Sequence, residues 1–276
     1  MSIVHFDHMS YIDFNQQTIE KSQQITQFGE LSYDFYGKRC VFSGLPDATF
    51  LSNNSLYFIQ AENIFRLNLI SEPRLSLVIK SLQMRHVRHQ QLFILHNTLY
   101  VFSGLSLNAK FTMQTFQSVD LLNPRKLVNV QCSNLPPSRC LATIFSSDSA
   151  VYILSGLSST ATEERILGDL WKFDGSEFTQ IELSGSNPEV CGAQALLFNH
   201  YFLIVGGFCG QKLDGSKQLN STVWVLDCWN SRCTANQLGI VEGNVVFRIQ
   251  GGELVGGGLR AQILQLKGME AEVAFD

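Results

Sequence analysis

No stretch of the 276-residue chain approaches the roughly 18 consecutive apolar residues of a membrane-spanning helix, so no membrane partner is expected. Charge is scarce as well. Only 16% of residues are charged while 45% are hydrophobic, which excludes a chain too polar to build a core. Basic residues do not prevail: 20 Lys and Arg stand against 24 Asp and Glu, for a net charge of −4. A dedicated nucleic-acid binder needs a clustered basic surface, so none is expected. The opening residues MSIVHFDHMSYIDF have neither the basic nor the apolar region of a secretory signal, and the expected location is cytoplasmic. The seven cysteines contain no CxxC pair, and in a reducing compartment they are expected to be free and mostly buried. The six prolines leave room for helices, yet no long segment has a 3.6-residue apolar period.

What is present is a succession of short Val, Ile, Leu, Phe and Tyr runs, parted by Gly, Asn, Ser and Asp. That is the pattern of many short strands. The runs also repeat. Leu99–Leu105 (LYVFSGL) matches Val151–Leu157 (VYILSGL), Phe202–Phe208 (FLIVGGF) and Glu253–Leu259 (ELVGGGL), with an earlier copy at Arg39–Leu45 (RCVFSGL). The closing glycines, Gly44, Gly104, Gly156, Gly207 and Gly258, step by 60, 52, 51 and 51 residues.

Each copy has the same surroundings. Upstream lie an apolar strand and a tight turn, for which Asn97-Thr98, Gly37-Lys38 and Gly251-Gly252 are suited. Downstream comes a strand with aromatic, apolar and acidic positions, Leu170–Asp174 (LWKFD) and Val223–Asp227 (VWVLD), then a fourth such as Phe178–Leu183. The unit is therefore four antiparallel strands in about 50 residues. From about Leu31 to Lys267 this unit resembles the kelch repeat, through the apolar run closed by Gly-Gly or Ser-Gly and the Trp-containing strand that follows. Arginines ahead of a first strand, Arg88 and Arg139, also suit that family.

The resemblance implies an all-β fold, a kelch-type β-propeller of four-stranded antiparallel blades filling residues 1–276 as one domain. Six blades are expected, with the termini meeting to close the ring; five blades with extra N-terminal strands are the alternative. Stacked blades cover each other's faces, and Trp171, Trp224, Tyr100, Tyr152 and Phe178 are expected in the wedges between them.

No catalytic, metal or cofactor site is expected. GGELVGGGL precedes an alternating segment, not the helix that a dinucleotide loop needs. His86 and His89, like His5 and His8, are three apart but read as loop or strand and not as ligands on a helix. Glu163-Glu164-Arg165 reads as part of a solvated loop over Ser158–Gly168, while Asp174 and Asp227 read as turn residues.

Function is then expected in loops. Long segments follow three glycine-closed strands: Ser106–Gln114, Ser158–Gly168 and Cys209–Asn220. In kelch propellers that recruit substrates, such loops share a face with the blade-to-blade segments. That resemblance implies a partner-binding set of Arg85, Arg88, Arg139, Lys110, Arg165 and Lys212, suited to an acidic peptide or loop of a protein partner. The expected function is an adaptor or scaffold. The alternatives are an enzyme or enzyme accessory of the epimerase-like or specifier-like kind, or the propeller portion of a tRNA-modification protein.

Overall fold

The computed structural model describes the main chain of residues 30–35, 38–43, 48–52, 55–60, 62–68, 74–84, 86–147, 149–198, 201–211, 217–229, 232–240, 246–250, 253–257, 262–267 and 270–275. Apart from one 3-10 turn at Leu82–Met84, the regular structure among them is strand. A hairpin, β1 (Glu30–Phe35) and β2 (Lys38–Ser43), comes first. The first four-stranded antiparallel sheet is β3 (Ala48–Ser52), β4 (Ser55–Gln60), β5 (Asn63–Asn68) and β6 (Arg74–Lys80). A two-residue lead-in strand, β7 (Val87–Arg88), opens the next unit.

That unit has sheet strands β8 (Gln91–Leu95), β9 (Thr98–Phe102), β11 (Phe116–Asp120) and β12 (Val128–Asn129), with β10 (Leu105–Ser106) in the loop after β9. The third unit repeats the plan. Its sheet is β13 (Thr143–Ser146), β14 (Val151–Leu154), β17 (Leu170–Phe173) and β18 (Phe178–Gly185), and its loop forms the hairpin of β15 (Leu157–Ser159) and β16 (Glu164–Ile166). So does the fourth: sheet strands β19 (Gln194–Phe198), β20 (Tyr201–Val205), β23 (Thr222–Trp229) and β24 (Arg232–Ile240), with the loop hairpin β21 (Phe208–Gln211) and β22 (Lys217–Leu219). A last sheet joins β25 (Val246–Gln250), β26 (Glu253–Gly257), β27 (Gln262–Lys267) and β28 (Glu270–Phe275). The expected four-stranded antiparallel unit thus occurs five times among the described residues. The strands expected over residues 3–25, and with them the closing blade, lie outside the described residues.

Burial explains why the repeats are so apolar. In β8 and β9 nearly every residue is buried, because these strands are covered on both faces by neighbouring sheets. The outer β18 is buried only at intervals. The core lies between blades. Phe93, Tyr100 and Phe116 of the second unit pack against Trp171, Phe173 and Phe178 of the third. Phe116 meets Phe173 edge-on at a centroid distance of 5.3 Å. Phe145 and Leu154 of the third unit pack on Phe202 and Trp224 of the fourth, and Tyr152 joins them. These two blades are further sealed along their outer strands, where β18 pairs with β24 in parallel from Glu182↔Arg232 to Gly185↔Ala235.

Four expectations change. The β8–β9 turn is centred on His96 and Asn97, both at positive φ, instead of on Asn97 and Thr98, since the pair Leu95↔Thr98 closes the ladder, and Lys38 likewise is no turn residue but opens β2 opposite Phe35. Ser158–Gly168, expected as a solvated loop, contains the paired strands β15 and β16, while Glu163, Glu164 and Arg165 are exposed as expected. Asp227 sits within β23, opposite Tyr201 and Thr234, and is no turn residue. Cys228 and Cys233 are not free thiols: directly opposite in the β23–β24 ladder, with Cα atoms 4.1 Å apart, they form a disulfide. Cys140 and Cys191 are buried, Cys132 is half-buried and Cys209 is exposed, where its thiol donates to the Gln218 carbonyl at 3.8 Å.

Candidate functional site: the loop face

The loops after β9, β14 and β20 meet the lead-in segments of the blades, and a repeated joint holds them. The residue following each Ser-Gly or Gly-Gly pair bonds to its own blade's lead-in: Leu105 pairs with Arg88, Leu157 with Cys140, and Phe208 with Cys191. Leu157 and Cys140 exchange both main-chain bonds at 2.8 Å. The Ser-Gly pair itself reaches forward to the next blade. Ser103 Oγ accepts the Arg139 N–H at 2.7 Å, and the Gly104 N–H donates to the Arg139 carbonyl at 3.0 Å. One blade on, Ser155 Oγ accepts from Val190 N and Gly156 N donates to Val190 O, at 2.9 and 3.0 Å. Each serine hydroxyl also donates within its own loop, to Met113 O and Leu167 O respectively.

This joint accounts for the two-residue signature. Ser103, Ser155 and Gly206 all have φ between 54 and 72°, and the glycines after them are at positive φ as well. A Cβ on Gly207 would stand 2.6 Å from the Cys191 carbonyl oxygen, so the second residue of the pair has no room for a side chain.

Arg139 is wholly buried, the largest of the fully buried side chains among the described residues. Its Nε donates to Pro137 O and its Nη1 to Ser155 O. Nη1 and Nη2 grip Asp169 at 2.6 and 2.8 Å, and the Trp171 indole N–H donates to the same carboxylate at 2.6 Å. Burial works to raise the Asp169 carboxyl, but the hydrogen bonds and charge of Arg139, helped by Trp171, hold it below the usual carboxylate range. Arg139 thus points inward, its side chain tying the lead-in to Ser155 and Asp169 of its own blade instead of facing a partner. In the next joint its place is taken by Val190 and that of Asp169 by Thr222, so the Trp224 indole N–H is buried without a partner among the described residues.

The other expected partner-binding residues divide. Arg85 and Lys212 lie outside the described residues. Arg88 is half-buried in β7 and is tied to Leu105 through the main chain. Lys110 and Arg165 are exposed, each in the loop of a different blade. His86 is exposed beside Leu107, whose N–H it accepts at 2.9 Å, and no group of three His, Cys, Asp or Glu among the described residues is placed to hold a metal ion.

Apolar residues that the sequence reading passed over complete this face. Leu107 is 46% exposed and Phe111 42%, on either side of Lys110. Their loop is not loose. The Thr112 N–H donates to Ser159 O at 2.8 Å and the Ser159 hydroxyl to Lys110 O at 3.2 Å, stitching it to the β15–β16 hairpin of the next blade. Beyond that hairpin, a cleft of about 320 Å³ opens, lined by Leu157, Glu164, Arg165 and Ile166 on one wall and Cys191, Phe208 and Gly210 on the other.

No family model matches the chain, and no curated protein matches it. Among solved structures it is similar to one described as "Structure of YjhT", at a TM-score of 0.63 and 12% identity, with 83% of each chain covered. This is a likeness of fold. With the repeated four-stranded blades it identifies the chain as an all-β propeller. Among the described residues no helix is long and apolar enough to cross a membrane.

Proposed function

We propose that the chain is a kelch-type binding module, an adaptor or scaffold that holds a partner protein against its loop face. The observation that carries this reading is the stitched loop of the second blade, which holds Leu107 and Phe111 in the open with Lys110 between them. Exposed apolar side chains on a main-chain-bonded loop lose little freedom on binding, and that is what a recognition surface requires. The Lys110 and Arg165 cations suit an acidic element of the partner at the rim. A cytoplasmic setting suits an exposed or half-buried cysteine such as Cys132 that is not drawn into a disulfide. The Cys228–Cys233 disulfide weighs toward an oxidising one.

The test is affinity capture on wild type and on Lys110→Glu and Phe111→Ser variants shown by thermal melting to stay folded. Partners present with wild type and lost with both variants support the module. A partner set unchanged in both would move binding off this face.

A further inference from the structure

The loop hairpins of adjacent blades do not meet in the same way at every seam. Between the second and third blades, the descending arm of one hairpin is bonded to the ascending arm of the next. Thr112, which faces Leu105, gives its N–H and hydroxyl to Ser159 O, and Ser159 N donates back to Thr112 Oγ1 at 3.3 Å. Between the third and fourth blades the corresponding residues are Ile166, which faces Leu157, and Gly210, two residues past the joint at Phe208. Neither side chain has a hydroxyl. A register shift between Phe208 and Gly210 also turns β21 out of line. Among the described residues no such stitch joins them, and the 320 Å³ cleft stands in its place.

One wall of the cleft is an open strand edge. Leu157 uses its N–H and C=O on Cys140, so Ser158 and Arg165 carry the β15–β16 ladder. By the alternation of an antiparallel pair, the main-chain groups of Glu164 and Ile166 then point outward, to the cleft side. The Arg165 and Glu164 side chains have no hydrogen bond or ion pair among the described residues, and both are exposed.

Building on the reading of this face as a binding surface, we infer that the slot between β16 and β21 receives an extended segment of a partner protein, added as a strand along the free edge of β16. The segment supplies the missing main-chain bonds, as Thr112 does for its neighbour. Directly opposite residues interact most strongly across a strand pair. An incoming antiparallel strand therefore reads, in order, an apolar residue against Ile166 and the wall of Leu157 and Phe208, an acidic residue against Arg165, and a basic residue against Glu164. The outer edge of β16 is short, so three to four residues fill it.

The experiment screens a library of hexapeptides, with Leu fixed at the third residue and the rest varied, against the full chain. Enriched sequences are then measured by fluorescence anisotropy. Wild type is expected to enrich an acidic residue directly after Leu. Arg165→Glu is expected to reverse that choice to Lys or Arg, a swap that misfolding does not produce. Ile166→Trp, which fills the slot, and peptides N-methylated at alternate residues, which cannot pair with an edge, should each bind at least tenfold more weakly. No enrichment by wild type overturns the inference, as does equal binding of the N-methylated peptides or by Ile166→Trp.

The two readings separate cleanly. Partner capture that needs Lys110 and Phe111 but survives Ile166→Trp keeps the module and removes the slot. Peptide binding in the slot alongside capture indifferent to Lys110 and Phe111 does the reverse.

Discussion

Ser155 Oγ accepts the Val190 N–H at 2.9 Å and donates to Leu167 O, so one buried hydroxyl ties a blade's own loop to the lead-in of the blade that follows. Ser103 does the same for Arg139, 52 residues earlier. The serine stands where the fourth blade has Gly206 and adopts the same left-handed backbone, with φ of 56°. A left-handed conformation costs a non-glycine residue about 1–2 kcal/mol, and two buried hydrogen bonds offset it.

Ser155→Ala keeps that strain and leaves the Val190 N–H buried without an acceptor, at about 1–3 kcal/mol for the orphaned group. Ser155→Gly loses the same bonds but relieves the strain. Urea unfolding should therefore rank wild type above Gly and Gly above Ala. A Gly variant less stable than the Ala variant would contradict this account of the joint.

Arg139 and Asp169 form a second fixed point, inside the third blade, where the arginine of the lead-in grips the residue ahead of β17. Removing the guanidinium by Arg139→Ala strands a partly buried carboxylate and should cost about 3–5 kcal/mol, the range for breaking a buried pair from one side. Replacing the carboxylate by Asp169→Asn leaves one oxygen for Arg139 Nη2 and Trp171, turns an amide donor toward Arg139 Nη1, and removes the counter-charge of the buried guanidinium.

The sign of the pH effect follows from the lowered Asp169 carboxyl. A group with a lower pKa folded than unfolded stabilises the fold above its ordinary value, near 3.8 for Asp, and loses that contribution as pH falls through the folded value. Thermal melts between pH 7 and pH 2 should show a steep fall below about pH 4 in wild type and a shallower one in Asp169→Asn. Parallel curves would show that this pair does not drive the acid response. The exposed Asp174 differs. The N–H groups of Glu177 and Ser176 and the Ser176 hydroxyl hold its carboxyl down to about 2, so its NMR titration should lie near that value and shift up in Ser176→Ala.

The blades were legible because their inner strands are covered on both sides. Burial on both faces makes β9, β14 and β20 nearly continuous apolar runs, and a repeated backbone joint puts Ser-Gly or Gly-Gly at their ends. Spacing alone could not show how the arginines point. Arg88 and Arg139 look equivalent in the sequence, yet the residue matching Arg88 in the next lead-in is Cys140, since Leu105 pairs with Arg88 and Leu157 with Cys140. That one-residue offset sends Arg139 to the opposite face of its strand, into the core. The cleft was hidden for a related reason. Ile166 and Gly210 are unremarkable until their neighbours show that Thr112 and Ser159 occupy the same places one blade earlier and bond there.

Cys228 and Cys233 are five residues apart, a spacing that puts them opposite each other only because the turn falls between Trp229 and Arg232. A tryptic digest without reduction tests the bond directly, because cleavage after Arg232 cuts between the two cysteines. Peptides 218–232 and 233–248 should appear joined and separate on reduction by a dithiol. Recovery as separate alkylated thiols from native source would place maturation in a reducing compartment. The joined form would place it in an oxidising one.

Gly207 and Gly192 separate two reasons for glycine. Both have positive φ, 80 and 69°, so alanine is strained at either. At Gly192 an added Cβ meets nothing within 4 Å, and Gly192→Ala should cost about the left-handed strain alone, 1–2 kcal/mol. At Gly207 the Cβ would lie 2.6 Å from Cys191 O and 2.7 Å from Ala193 N, both main-chain atoms of the lead-in to the same blade. Neither can yield without breaking the Cys191–Phe208 joint, whose two bonds are 2.8 and 2.9 Å. Gly207→Ala should therefore be the more destabilising of the two in urea unfolding, and its hydrogen exchange should rise at Phe208 and Cys191. Equal costs would mean that backbone conformation alone, and not the close approach of loop and lead-in, keeps glycine at this point of the repeat.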